Sequence, residues 1–164
     1  MPPHYRGMDG EQGTGVMGHG SGLELCYNPP NMETAAKVLI VGGMLNLSYG
    51  AITGLFLTSV RSRSAEAPRH LTLAHIGPFM QGPMLLGLSV ATTLSDLAGG
   101  IETLAAWLLV AGSAGIAGGD TLHWLNETKD GFAERTIGFY LQAAGGTFTS
   151  LGIFIFLIGV LKGL

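Results

Sequence analysis

The order of apolar and polar positions divides this chain into a polar beginning and four long apolar runs. The runs cover about residues 35–60, 71–94, 101–122 and 137–161, with short polar connections between them. Each is long enough to cross about 30 Å of hydrocarbon at a helical rise of about 1.5 Å per residue. The pattern predicts an all-α fold, an integral membrane four-helix bundle over residues 31–164. Residues 1–30 form a polar, Gly-rich tail with no helical or strand period, expected to be irregular. Asn31, after Pro29 and Pro30, is a candidate N-cap for the first helix, with Glu33 in its first turn.

Residues inside the runs refine this picture. Pro78 and Pro83 lie within the second run. Each removes a backbone donor and crowds the preceding turn, which predicts a kinked or locally irregular helix. Asn46 sits near the middle of the first run, where an amide in lipid turns towards another helix. In the fourth run Gly138, Gly145, Gly152 and Gly159 recur at one spacing and fall on one narrow stripe. Ala111, Gly115 and Gly119 give the third run a similar face, as Gly50 and Gly54 do for the first. Small faces let helix backbones approach, within one bundle or between copies of it.

Composition agrees with a membrane protein. Only 12% of the 164 residues are charged, against about 25% in soluble domains, and the mean hydropathy is +0.41. The bilayer is then the chain's main partner, and the expected location is the cell membrane, crossed several times. A net charge of -3 without basic clusters argues against nucleic-acid binding. The single cysteine, Cys26, excludes an intrachain disulfide or a Cys-based cluster. His4 and His19, in the tail, read as solvated side chains. No basic stretch followed by a short apolar one opens the chain, so the first helix is expected to direct insertion. An even number of spans places both termini on one side and loops 61–70 and 123–136 on the other. Those loops carry five Lys and Arg, which favours placing them in the cytoplasm.

Candidate chemistry gathers near the loop side. His75 lies about four residues into the second run, roughly 6 Å deep at helical rise. Asp120 ends the third run, His123 follows one turn later, and Tyr140 and Gln142 open the fourth. An ionisable group within a span is a functional candidate, although Asp120 so near the surface can also snorkel to water. His123, beside Trp124, reads as a headgroup-level side chain. His75 either bonds a neighbouring helix or binds a metal, for which neutral imidazole is well suited. There is no Cys-x-x-Cys-His attachment site and no pair of carboxylate-bearing helices of the di-iron kind. Non-covalent haem b is the metal group these residues support most simply.

The stretch Ala74-His75-Ile76-Gly77-Pro78-Phe79-Met80-Gln81-Gly82-Pro83-Met84 resembles a segment of the bacterial styrene oxide isomerases. Their pattern is Ala-His-x-Gly-Pro, two residues, then Asn-Gly-x-Met, also in the second of four helices, and Asn46-Leu47 has a counterpart in the first. The resemblance implies a homotrimeric membrane enzyme with ferric haem b at a subunit boundary, held by His75 as axial ligand. Gly77, Pro78 and Asn46 would belong to the cofactor's surroundings. The implied reaction is a Meinwald-type isomerisation, in which Lewis-acidic iron opens a small apolar epoxide to an aldehyde. Gln81 stands where the family has Asn. An ungapped count puts Asp120 at the family's third-helix tyrosine and Gly112 near its acidic residue. Gln81, Asp120 and Tyr140, a possible replacement for the lost phenol, are the catalytic candidates. Two other readings use the same residues: an electron-carrying or gas-sensing haem protein, with His123 as second ligand, and a cofactor-free accessory subunit.

Overall fold

The structure is a computed structural model and describes residues 33–129 and 133–164. The tail, with His4, His19, Cys26 and Asn31, lies outside the described residues. Among the described residues there are four α-helices and no strand: α1 (Thr34–Arg61), α2 (Arg69–Ala91), α3 (Gly99–Leu125) and α4 (Ile137–Gly163). A 3-10 turn, Thr92–Leu94, extends α2. Glu33 is the N-cap of α1 rather than part of its first turn, and its side chain makes no capping bond. Three helices, α1, α3 and α4, are long and apolar enough to cross a membrane. The remaining helix, α2, carries His75, Gln81, Pro78 and Pro83, which dilute its apolar character.

The helices pack as two pairs, α1 on α2 and α3 on α4, and α3 joins the pairs by touching both α1 and α2. Leu39, Leu85, Leu109 and Phe156 fill the centre with Ala35, Ala105 and Ala106. The glycine stripe of α4 is used within the chain. Gly138 faces Gly119 and His123, Gly145 meets the backbone at Gly112 and Ile116, Gly152 covers Leu109, and Gly159 lies against Ser95 and Leu97. The facing positions on α3 are Gly112, Gly115 and Gly119; of the predicted series Gly115 and Gly119 face α4, while Ala111 is exposed and Gly112 takes its place.

The local irregularity expected at the prolines of α2 does not appear. The helix runs unbroken through both prolines. Pro78 has no amide hydrogen, which frees the carbonyl four residues back, at Ala74. The Thr53 hydroxyl of α1 comes within 3.2 Å of that oxygen. Its single proton is divided between this carbonyl and those of Tyr49 and Gly50, each 3.0 Å away. A neighbouring helix thus offers the donor that proline removed, the way such prolines are accommodated in membranes.

At the other end of the bundle Glu102 is 1% exposed in the first turn of α3, with Oε1 lacking a hydrogen-bond partner among the described residues. A hydrogen bond to Glu102, then burial and the like charge, pushes the Glu33 carboxyl above its usual range. Folded Glu33 therefore holds its proton more tightly than unfolded Glu33. Its contribution to stability is full below the ordinary carboxylate range and is lost as pH rises through the raised value. Glu33→Gln should remove this dependence. As pH rises above the ordinary carboxylate range, the melting temperature of the wild type should fall relative to that of the variant. Parallel melting profiles would show that the two carboxyls do not interact.

Candidate functional site

His75 and Asp120 stand at separate seams. His75 projects from α2 onto the glycine face of α1, where its Nδ1 lies 2.8 Å from Gly50 O. A carbonyl only accepts, so Nδ1 carries the hydrogen and donates it. Nε2 is then left with its lone pair and makes no hydrogen bond among the described residues. Donation of one ring hydrogen to a backbone carbonyl is how proteins fix a metal-binding imidazole and choose its tautomer. Gly54 makes room for the ring: a Cβ there would lie 2.6 Å from His75 Cε1. Phe79, one turn on, packs edge-on with centroids 5.2 Å apart. Ile76, Phe79 and Met80 beside it are exposed apolar side chains. A Cβ placed on Gly77 would stand in open space, whereas Pro78 is fully buried.

The second seam holds a denser polar group. Asp120 Oδ1 accepts a 2.7 Å hydrogen bond from Gln142 Nε2 of α4. His70 Nδ1, from the first turn of α2, lies 3.7 Å from the same oxygen. The His70 and His123 rings face one another with centroids 4.9 Å apart, and Thr136 Oγ1 reaches His123 Nδ1 at 3.3 Å. His123 is 0% exposed, packed inside the bundle rather than open at its surface. The reason is that α3 continues to Leu125 and turns His123 towards Gly138, whose missing side chain admits the ring.

The remaining candidates are dispersed. Asn46 donates to Gly42 O and to Ser113 Oγ, tying α1 to α3. It also lines an apolar cleft of about 460 Å3 with Tyr49, whose hydroxyl bonds Thr121. Gln81 is half-buried, with Oε1 enclosed and lacking a hydrogen-bond partner among the described residues. Tyr140 is 60% exposed on α4 against Phe139. Among the described residues no hydrogen bond or ring contact joins His75 to Asp120, Gln81 or Tyr140, and no three His, Cys, Asp or Glu gather as a metal site. One histidine is nonetheless enough for haem, whose porphyrin supplies the other iron ligands.

The chain matches no known protein family, curated protein or solved structure. Function is therefore argued from these two seams. His70 was the residue missed in the sequence, because it closes a loop rich in arginine. The signal available was Pro68, which sits at the N-cap of α2 and puts His70 in the first helical turn. The spacing of Asp120 and His123, three residues apart, places them on one helical face.

Proposed function

We propose that this chain is a four-span membrane protein, assembled as a homotrimer, that binds haem b through His75 and isomerises a small apolar epoxide to a carbonyl compound. The observation that carries the reading is the His75 imidazole. Its Nδ1–H is held by Gly50 O, and Nε2 is left free to ligate. The surroundings fit a flat apolar group. Gly77 leaves space where a side chain would stand, and the ring of Phe79 limits the imidazole's rotation. The exposed apolar residues Ile76, Phe79 and Met80 suit a cofactor covered by a second copy or by lipid.

When bound, ferric haem would supply a Lewis acid for the epoxide oxygen. The chain's own part would be to hold the iron through His75, exclude water and orient the substrate. Gln81 has an enclosed, unpartnered amide oxygen available for bonding. Asp120 is engaged by Gln142 and faces His70, so its role is to order the loop-side seam. Tyr140 presents an exposed phenol on α4, available to a neighbouring copy. His123 is turned into the Asp120 seam, which favours one protein ligand over two.

The first test is the visible spectrum of detergent-purified protein made with ample haem. Wild type should show a Soret band, and His75→Ala should lose it. A wild type without that band overturns the proposal. Incubation with aryl and alkyl epoxides should then yield aldehydes or ketones. A haem-loaded protein inert to the whole panel would remove the isomerase reading and leave haem binding standing.

A further inference from the structure

The cleft of about 460 Å3 between α1 and α3 takes its polar side chains, Asn46, Ser48 and Tyr49, from α1 alone. Each has already committed its hydrogens. The Asn46 amide nitrogen reaches Gly42 O at 2.9 Å and Ser113 Oγ at 3.0 Å. Both partners accept, since Ser113 gives its own hydrogen to Val110 O. That fixes which end of the amide is nitrogen and leaves Oδ1 with no donor among the described residues. Ser48 donates to Met44 O. Thr121 donates to Ala117 O, so in the pair of hydroxyls it forms with Tyr49 the phenol is the donor. The backbone amides of both walls lie inside helices and are used there. Among the described residues the cleft therefore offers acceptors and no donor.

Asn46 is 8% exposed, yet its Oδ1, unlike Gln81 Oε1, is not sealed off, and the cleft is the opening that Asn46 lines. It sits near the middle of a helix long and apolar enough to cross a membrane, a level where no water satisfies an acceptor. We propose that this cleft binds a small apolar alcohol or phenol that enters from the lipid, its hydroxyl donating to Asn46 Oδ1. The volume suits a small-molecule site, and Leu45, Ile52 and Val110 make the rest of the wall apolar. Tyr49, one turn on from Asn46, keeps a phenol lone pair for a second hydroxyl. A lipid acyl chain would fill the apolar part but bring no donor. Epoxides, ethers and ketones bring only further acceptors, so the cleft selects against the substrates proposed for the haem. It lies where α1 faces α3, whereas His75 packs on Gly50 and Gly54 where α1 faces α2, and it does not depend on haem.

A matched pair of probes tests this: 2-naphthol, and its methyl ether, which has the same rings and no donor. Equilibrium dialysis of the full-length protein in nanodiscs, against empty nanodiscs of the same lipid, gives binding referred to the lipid-phase concentration. Wild type should bind the naphthol about tenfold more tightly than the ether, as expected for one hydrogen bond made without competing water. Ala114 lines the cleft and is exposed, so Ala114→Leu fills the opening without compressing the core and should abolish binding. Asn46→Leu should abolish the preference for the naphthol; because it also loses the Ser113 bond, Ala114→Leu is the variant that decides. Leu151→Ala, exposed on α4, should leave binding unchanged, as should His75→Ala. Equal binding of naphthol and ether by wild type, or undiminished binding by Ala114→Leu, overturns the proposal. No binding above empty nanodiscs also overturns it and leaves the cleft to acyl chains, or to a second copy if Ala114→Leu alters the mass of the oligomer.

Discussion

Gly54→Ala should leave the protein folded and strip it of haem. An added Cβ at residue 54 would stand 2.6 Å from His75 Cε1 and 2.8 Å from Nδ1, so the imidazole must leave Gly50 O. What has to move is the end of a side chain, not backbone, and alanine in a helix is favoured over glycine by about 1 kcal/mol. Stability should therefore hold or rise while the ligand position is lost. The Soret band should fall to the level of His75→Ala, with helical content unchanged by circular dichroism. Gly87→Ala, where nothing lies within 4 Å, is the control and should keep the band. Full haem occupancy in Gly54→Ala would place the ligand elsewhere.

Gly145→Ala should have the opposite character, a large loss of stability with no side chain to blame. Its Cβ would meet Gly112 O at 2.6 Å and Ile116 N at 2.8 Å, both backbone atoms of α3. Relief requires α3 and α4 to separate along their length. Overpacking of this kind costs about 1–3 kcal/mol or more, which outweighs the helical gain of alanine. The midpoint of thermal unfolding in detergent should drop by several degrees. Gly146→Ala, at the next position with open space around it, should be neutral or stabilising. Equal melting of the two variants would mean that this glycine contact does not form.

The contrast between the two glycines also marks what the sequence could and could not disclose. Four apolar runs were enough to count the helices, because hydrophobic length is local information. Their ends were less legible. α2 begins at Arg69 and α3 continues to Leu125, since charged and aromatic residues extended helices whose apolar pattern had stopped. Burial of His123 depends on Gly138 and His70, residues of other helices, and no local pattern contains that. The same holds for Pro78, where local steric reasoning predicted a kinked or irregular helix and could not show the threonine on α1 that reaches the freed carbonyl. For His75 the motif marked the residue, but the carbonyl that orients it belongs to α1. The gathering of Asp120 and Gln142 was foreseen from shared depth, whereas Tyr140 shared that depth and turned outward.

The Thr53 contact bears on the order in which the helices are made. In a bilayer the Ala74 carbonyl, deprived of its amide by Pro78, finds no water to bond. Had α2 entered lipid alone, it would have carried that unmet acceptor with it. α1 precedes α2 in the chain and already holds the hydroxyl that reaches the carbonyl. If α2 spans the membrane as proposed, α1 and α2 are expected to insert together as a hairpin, with α1 serving as a chaperone in cis for the helix that follows it.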